Sequence, residues 1–243
     1  MREAKLDQAI LLGWYWEHQS TCIWHNELMA SWQKQSPNQF ITFASILPNQ
    51  NVIEQLEYAQ SMGFKGVGEL HPSIQKFSEN KRHWFQMAEW CVQENWPLNL
   101  HVTESLNLPH PGYRATPFDC YLELAKQFPE LKMILAHWGG GIPFFEQNPK
   151  LKPLLKNTFY DTAASPLLYN SDIFKNVIAM VGAEKILFGS DYPLKLYPKT
   201  QTQAHTKPFI DEITKEAHLS KDDLDAIFSD NIQRLLGTGD RII

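Results

Sequence analysis

The chain has 243 residues, 43% of them hydrophobic and 20% charged, enough for one sizeable core and too few to need two, so a single domain over 1–243 is expected. Aromatic residues make up 12%, with 8 Trp and 14 Phe, a composition that excludes a disordered chain. The formal charge of -5, from 22 basic and 27 acidic residues without a Lys/Arg stripe, argues against a nucleic-acid partner, and no stretch approaches the ~20 apolar residues of a membrane span.

The opening, "MREAKLDQAILLGWYWEH", lacks the small-residue cleavage site of a signal peptide. The first apolar run of strand length is "QAILLGW" (8–14), followed by "FITFAS" (40–45), "KGVGEL" (65–70), "PLNLHV" (97–102), "KMILAH" (132–137), "NTFYD" (157–161) and "KILFGS" (185–190). Several are apolar on both faces, as parallel strands covered on each side must be. Helical spacing fills the intervals: Val52, Ile53, Leu56 and Ala59 mark a helix over 51–62 that Gly63 stops, and similar patterns occupy 81–95, 118–128 and 171–182. The repeat is strand then helix. A doubly wound dinucleotide fold would carry GxGxxG after an early strand, whereas the one glycine cluster, "HWGGG" (137–141), follows a late strand without that spacing. The expected fold class is therefore α/β, with a closed barrel of parallel strands favoured over an open sheet. Cys22, Cys91 and Cys120 are odd in number and lie in unlike surroundings, which argues against disulfides and for a reducing, cytoplasmic setting.

In such a barrel the active site forms where strands end at their carboxyl side. Glu69 and His71 follow one strand, His101, His137 and Asp161 end three others, and Asp191 follows the last. Imidazoles with a carboxylate are the ligand set that zinc accepts, and three such groups with an open position lower the pKa of a bound water towards neutrality. His101, Asp191 and Glu69 are the candidate metal ligands. His137 and Asp191 are the candidate catalytic groups, Asp191 serving also to move a proton, and His71, next to Pro72, is the candidate for substrate contact. Taken singly, a strand-end histidine more often just hydrogen-bonds a neighbouring backbone; three polar residues terminating three apolar strands are costly without a use. Asp161 reads equally well as a cap for the helix after it. His18, His25, His83, His110, His205 and His218 lie in polar or helical stretches and read as solvated surface. Trp14, Tyr15 and Trp16 read as a pocket wall or, equally, as core or interface.

The ordered motifs "GFKGVGELHP", "PLNLHVTE", "LKMILAHWGGGIPF", "NTFYDTAASP", "KILFGSDYPL" and the tail "LDAIFSDNIQRLLG" resemble the amidohydrolase-related family, which includes the aminocarboxymuconate-semialdehyde decarboxylases. That resemblance implies a TIM-like (β/α)₈ barrel with a divalent metal ion, zinc, held by a His-x-His pair on the first strand and by later residues. It places His101 and Asp191 as ligands on the fifth and eighth strands, Glu69 as a carboxylate some members use, and His137 as a group that orients water or binds metal. No His-x-His occurs in the sequence, so the first strand of the family pattern is absent and the barrel is expected to be incomplete, as in a truncated version of a longer protein. The function expected is a metal-dependent hydrolase acting on an amide, lactone or ester of a small molecule. A decarboxylase of the same fold is the alternative, and a non-catalytic remnant is a second. An unpaired strand edge beside the gap leads to the expectation of a homodimer.

Overall fold

Among the described residues seven short strands follow one another along the chain: β1 (Ala9–Leu11), β2 (Phe40–Thr42), β3 (Val67–Leu70), β4 (Leu98–Leu100), β5 (Met133–Leu135), β6 (Thr158–Asp161) and β7 (Ile186–Leu187). The structure is a computed structural model that describes residues 1–104, 106 and 113–238. Each strand falls inside one of the seven apolar runs. The helices are α1 (Gln19–Gln35), α2 (Val52–Ser61), α3 (Lys81–Gln93), α4 (Phe118–Gln127), α5 (Ile142–Phe145), α6 (Ser165–Leu168), α7 (Asp172–Val181), α8 (Lys207–Glu216), α9 (Lys221–Asp225) and α10 (Asn231–Leu236). The four stretches of helical spacing are α2, α3, α4 and α7. The longest helix, α1, buries Cys22, Asn26 and Met29, a small and partly polar stripe that gives little apolar signal.

All ladders are parallel, and their order is the order of the sequence: β1 pairs with β2, and β3 through β7 pair successively. A bridge between Ala44 and Val67, with Ala44 N–H donating to Gly66 O at 2.8 Å and Gly68 N–H to Ala44 O at 2.9 Å, joins the two groups. Sequential order is the winding of a barrel, since a doubly wound sheet reverses direction at a switch point. No ladder joins β7 to β1 among the described residues. The outer side of β7 is instead met by the segment around α10: Phe188 N–H donates to Ile227 O at 3.0 Å, and the Asn231 side-chain amide donates to Ile186 O and Ala183 O at 2.8 Å.

Side-chain alternation along each strand divides the core in two. Leu98, Leu100, Met133, Leu135, Tyr160 and Ile186 face the helices, where they pack with Trp84, Met87, Tyr121, Leu124, Phe174 and Phe209. Phe43, Ile134 and Leu187 form a second, inner cluster with Leu235 of α10, supported by Ile10, Ile41 and Phe159. Asn99, Ile134 and Phe159 are in register across β4, β5 and β6, so the buried Asn99 lies on the inner side. Close approach demands glycine at position 13: a Cβ there would run into the Ser45 backbone, and Gly13 N–H donates to both Phe43 O and Gly68 O.

Between β6 and the helices a buried charge is fully paired. Lys185 Nζ donates to both oxygens of Glu146, at 2.6 and 2.7 Å, and to Leu155 O at 2.8 Å, while Tyr160 OH donates to Glu146 Oε1 at 2.6 Å. Removing one partner of a buried pair strands the other charge. Lys185→Met is therefore expected to cost about 3–5 kcal/mol in urea unfolding, with Glu146→Gln in the same chain recovering most of it. An unchanged urea midpoint for the single variant would show that the pair contributes nothing.

Candidate metal centre

Three of the expected site residues converge. Donor atoms of Glu69, His101 and His137 lie within 4.8 Å of one another. Glu69 Oε1 is 2.6 Å from His101 Nδ1 and 3.8 Å from His137 Nε2. Each residue comes from a different strand end. In β3 the register on β4 shifts between Val67 and Leu70, so both of these face the helices and Glu69 is left on the inner side. Glu69 N–H is fixed by Gly13 O at 2.8 Å and His101 N–H by Leu70 O at 2.8 Å. His101 follows the alternation of Asn99. His137 does not: it shares the parity of Met133 and Leu135, which face outward, and a left-handed turn swings it back. His137 and Trp138 have φ of 56° and 57°, and Gly139, Gly140 and Gly141 continue with φ of 60°, 57° and 99°.

The site is an electrostatic cluster. Burial disfavours the Glu69 carboxylate, yet hydrogen bonds and charge from His101 and His137 outweigh it and hold the acid well below its ordinary range. Burial lowers the His137 imidazole, but Glu69, Asp161 and Asp191 overcome this and raise it to about 10. His71 is buried and stacks on His101 with ring centroids 4.7 Å apart; burial and the neighbouring His101 push it down to about 4.

Asp191 does not join the three-residue group. Its backbone is left-handed at φ 56°, and although the residue as a whole reaches solvent, desolvation of its carboxyl, with the charge of Glu69, raises it against the pull of His137 and His101. Asp161, open in the sequence between a strand-end site group and a cap for the following helix, has a carboxylate that accepts from His137 N–H and Ala163 N–H, both at 3.0 Å. Tyr15 stands beside the cluster. Its ring lies 5.1 Å from His71 and 5.8 Å from His101, Trp14 stacks on it at 4.2 Å, and burial with the charges of Glu69 and Asp191 raises its phenol to about 12. An aromatic triplet just past a strand end was the available signal. Glu104, three residues past His101, is raised by burial and feels His137. Among the remaining histidines, His25 departs from the solvated reading, being half-buried beside Trp16 and Trp24, and His110 lies outside the described residues.

The donor chemistry fits a divalent ion. Two imidazoles and a carboxylate are an accepted set, and bonds of ~2.1 Å to a tetrahedral centre separate ligand atoms by about 3.4 Å. The Glu69–His101 hydrogen bond has only to open by less than about 1 Å, with release of the proton that His101 Nδ1 donates.

The family model for amidohydrolases matches residues 15–238. The chain belongs to the amidohydrolase family. A 2-keto-4-carboxy-3-hexenedioate hydratase from Sphingobium sp. (strain NBRC 103272 / SYK-6) is 26% identical over 178 residues, covering 63% of this chain; the chain spans 50% of that relative's length. An uncharacterized TIM-barrel protein from Bordetella bronchiseptica superposes with a TM-score of 0.67 at 18% identity, over 99% of this chain and 81% of its own. A dihydroxybenzoic acid decarboxylase from Polaromonas sp. JS666, solved with manganese and 2-nitroresorcinol, superposes with a TM-score of 0.68 at 18% identity, over 91% of this chain and 76% of its own. These likenesses establish the TIM-like architecture for this amidohydrolase-family chain, with a candidate Glu/His/His site for a divalent ion. Among the described residues no helix is long and apolar enough to cross a membrane.

A neutral buried His71 has a consequence for stability. Between about 6.5 and 4 the unfolded chain binds a proton that folded His71 does not, so acidification through this window lowers stability by up to about 3 kcal/mol. Asp161, raised to about 6, opposes this over part of the range, because its folded form holds a proton the unfolded chain has lost. The difference between wild type and His71→Phe isolates the histidine. Urea midpoints of the variant are expected to fall less steeply from pH 6.5 to 4, and parallel profiles would refute the assignment.

Proposed function

We propose that Glu69, His101 and His137 bind one divalent ion and that the chain is a metal-dependent lyase acting on a small carboxylic acid. The observation that carries this reading is the convergence of a buried carboxylate and two imidazoles at the carboxyl ends of β3, β4 and β5. The reaction class is supported by the relatives whose names state an activity, a hydratase and a decarboxylase, both of carboxylic acids. A hydrolase acting on an amide, lactone or ester is the second reading, favoured by the family's description as amidohydrolases.

A bound ion would supply Lewis-acid polarisation of a carbonyl or carboxylate oxygen. The chain's own groups do the rest. Glu69 keeps its negative charge in place, and Tyr15 and His71 present ring faces and edges beside His101. Asp191 has its carboxyl raised towards the range in which proton transfer is efficient. In decarboxylation the carbon–carboxylate bond breaks, carbon dioxide leaves with the electron pair retained on carbon, and the Asp191 proton is delivered to that carbon. In hydrolysis the same carboxylate takes a proton from the attacking water and returns it to the leaving group. The donor set of two nitrogens and one oxygen favours zinc over manganese.

Elemental analysis of the chain purified without chelator is expected to give about one zinc or manganese per chain, lost in Glu69→Gln and in His101→Ala. The loaded chain is then incubated with 2,6-dihydroxybenzoate, 2-keto-4-carboxy-3-hexenedioate and p-nitrophenyl acetate. Carbon dioxide release, or hydration of the unsaturated acid, supports the lyase. Turnover of the ester alone supports the hydrolase. Absence of metal in the wild-type chain would overturn both.

A further inference from the structure

The group that re-aims His137 is a side chain with no place in the expected ligand set. Asp161 ends β6 and is buried. Its Oδ1 accepts two backbone N–H groups at 3.0 Å, one from His137 after β5 and one from Ala163 after β6, and its Oδ2 accepts the Asn99 amide from β4 at 3.2 Å. One carboxylate thus ties three adjacent strand ends together. The second tie is at the imidazole itself. Ala163 O lies 3.1 Å from His137 Nδ1, and because a carbonyl can only accept, Nδ1 must carry the proton. Nε2 is thereby directed to Glu69, at 3.8 Å. The same carboxylate oxygen therefore fixes the His137 backbone and the residue whose carbonyl sets the ring.

The turn needs such a tie. Non-glycine residues in the left-handed region are disfavoured by roughly 1–2 kcal/mol each, and His137 and Trp138 occupy it in succession. Trp138 is held by its indole N–H donating to Ser165 Oγ at 2.9 Å, and Tyr160 leaves no room for a Cβ on Gly139. Among the described residues, the His137 backbone N–H is held by the Asp161 carboxylate alone. Were the strand to continue in extended form, the alternation would carry His137 outward with Leu135.

We infer that Asp161 is a positioning residue for the metal centre: it clamps the left-handed turn after β5, with Ala163, so that His137 Nε2 faces Glu69. This rests on the proposed metal-binding reading for its readout with metal, and on hydrogen bonding alone for its readout without metal. Asn99 Oδ1 is buried with no hydrogen-bond partner among the described residues, which matters for the test. In Asp161→Asn, an amide flip at Asn99 would offer that oxygen to the new Nδ2, while the new Oδ1 still accepts both backbone N–H groups.

The test compares wild type, Asp161→Ala, Asp161→Asn and Lys185→Met, the last a destabilised variant whose hydrogen bonds go to Glu146 and Leu155 rather than to Asp161 or the three candidate ligands. Zinc and manganese affinities are measured by competition with a chelating indicator, alongside Tm. Asp161→Ala is expected to bind about 10–100-fold more weakly, Asp161→Asn to recover most of the affinity, and Lys185→Met to bind as wild type despite its lower Tm. Unchanged affinity in Asp161→Ala, or an equal loss in Lys185→Met, would overturn the inference. If the wild-type chain binds neither metal, the proposed function fails and amide hydrogen exchange on the metal-free chains decides the clamp. Protection of the His137 and Ala163 amides in wild type and Asp161→Asn, with selective loss in Asp161→Ala, supports it. Equal protection in all of them refutes it.

Discussion

A buried carboxylate between two imidazoles is the constraint around which the mouth of this barrel is organised. Glu69 ionised and alone in a poorly solvated setting would be prohibitive, so its position is tolerable only with His101 and His137 beside it or with a cation in their midst. The three residues come from three consecutive strands, and a slip of one residue in any strand would turn its group away. The local irregularities serve this convergence. The register shift in β3 leaves Glu69 inside, and the left-handed turn after β5 brings His137 back from an outward parity.

The layers beneath fix the strands that carry these groups. On the outer side, aromatic and aliphatic side chains from α3, α4, α7 and α8 pack on alternate strand residues; on the inner side, Phe43, Ile134 and Leu187 close on Leu235. Lys132 Nζ donates to Leu235 O at 2.7 Å, and Asn231 occupies the carbonyls near β7, so α10 is bound to the strands by polar as well as apolar contacts. At the start of the chain, Glu3 lies 2.6 Å from His205, just ahead of α8. Both ends of the described chain are thereby tied to the body of the fold, in which no ladder joins β7 to β1 among the described residues.

Much of this was readable in the sequence, for physical reasons. Short apolar runs, several of them apolar on both faces, suit strands covered on both sides, and each of the seven held one. Polar residues terminating such runs marked Glu69, His101 and His137. What escaped has equally specific causes. The buried face of α1 is too small and polar to show periodicity. Asp161 in "YDTAAS" has the local signature of a helix cap, and nothing along the chain discloses that its partners are the backbones of His137 and Ala163. Asp191 looked equivalent to the other strand-end groups. Like His137 it has a left-handed backbone, at φ 56°, but its carboxylate is not among the three donors that converge within 4.8 Å, a distinction of side-chain placement that the sequence does not carry. The absence of a His-x-His pair was plain in the sequence, and the three-residue group forms without one.

The most direct test of the central claim is the anomalous scattering of a crystal of the chain grown with zinc, collected at the zinc absorption edge. The account predicts one strong peak bonded to Glu69, His101 and His137, with the 2.6 Å hydrogen bond between Glu69 and His101 opened to a ligand–ligand separation. A crystal with zinc elsewhere, and that hydrogen bond intact, would contradict it.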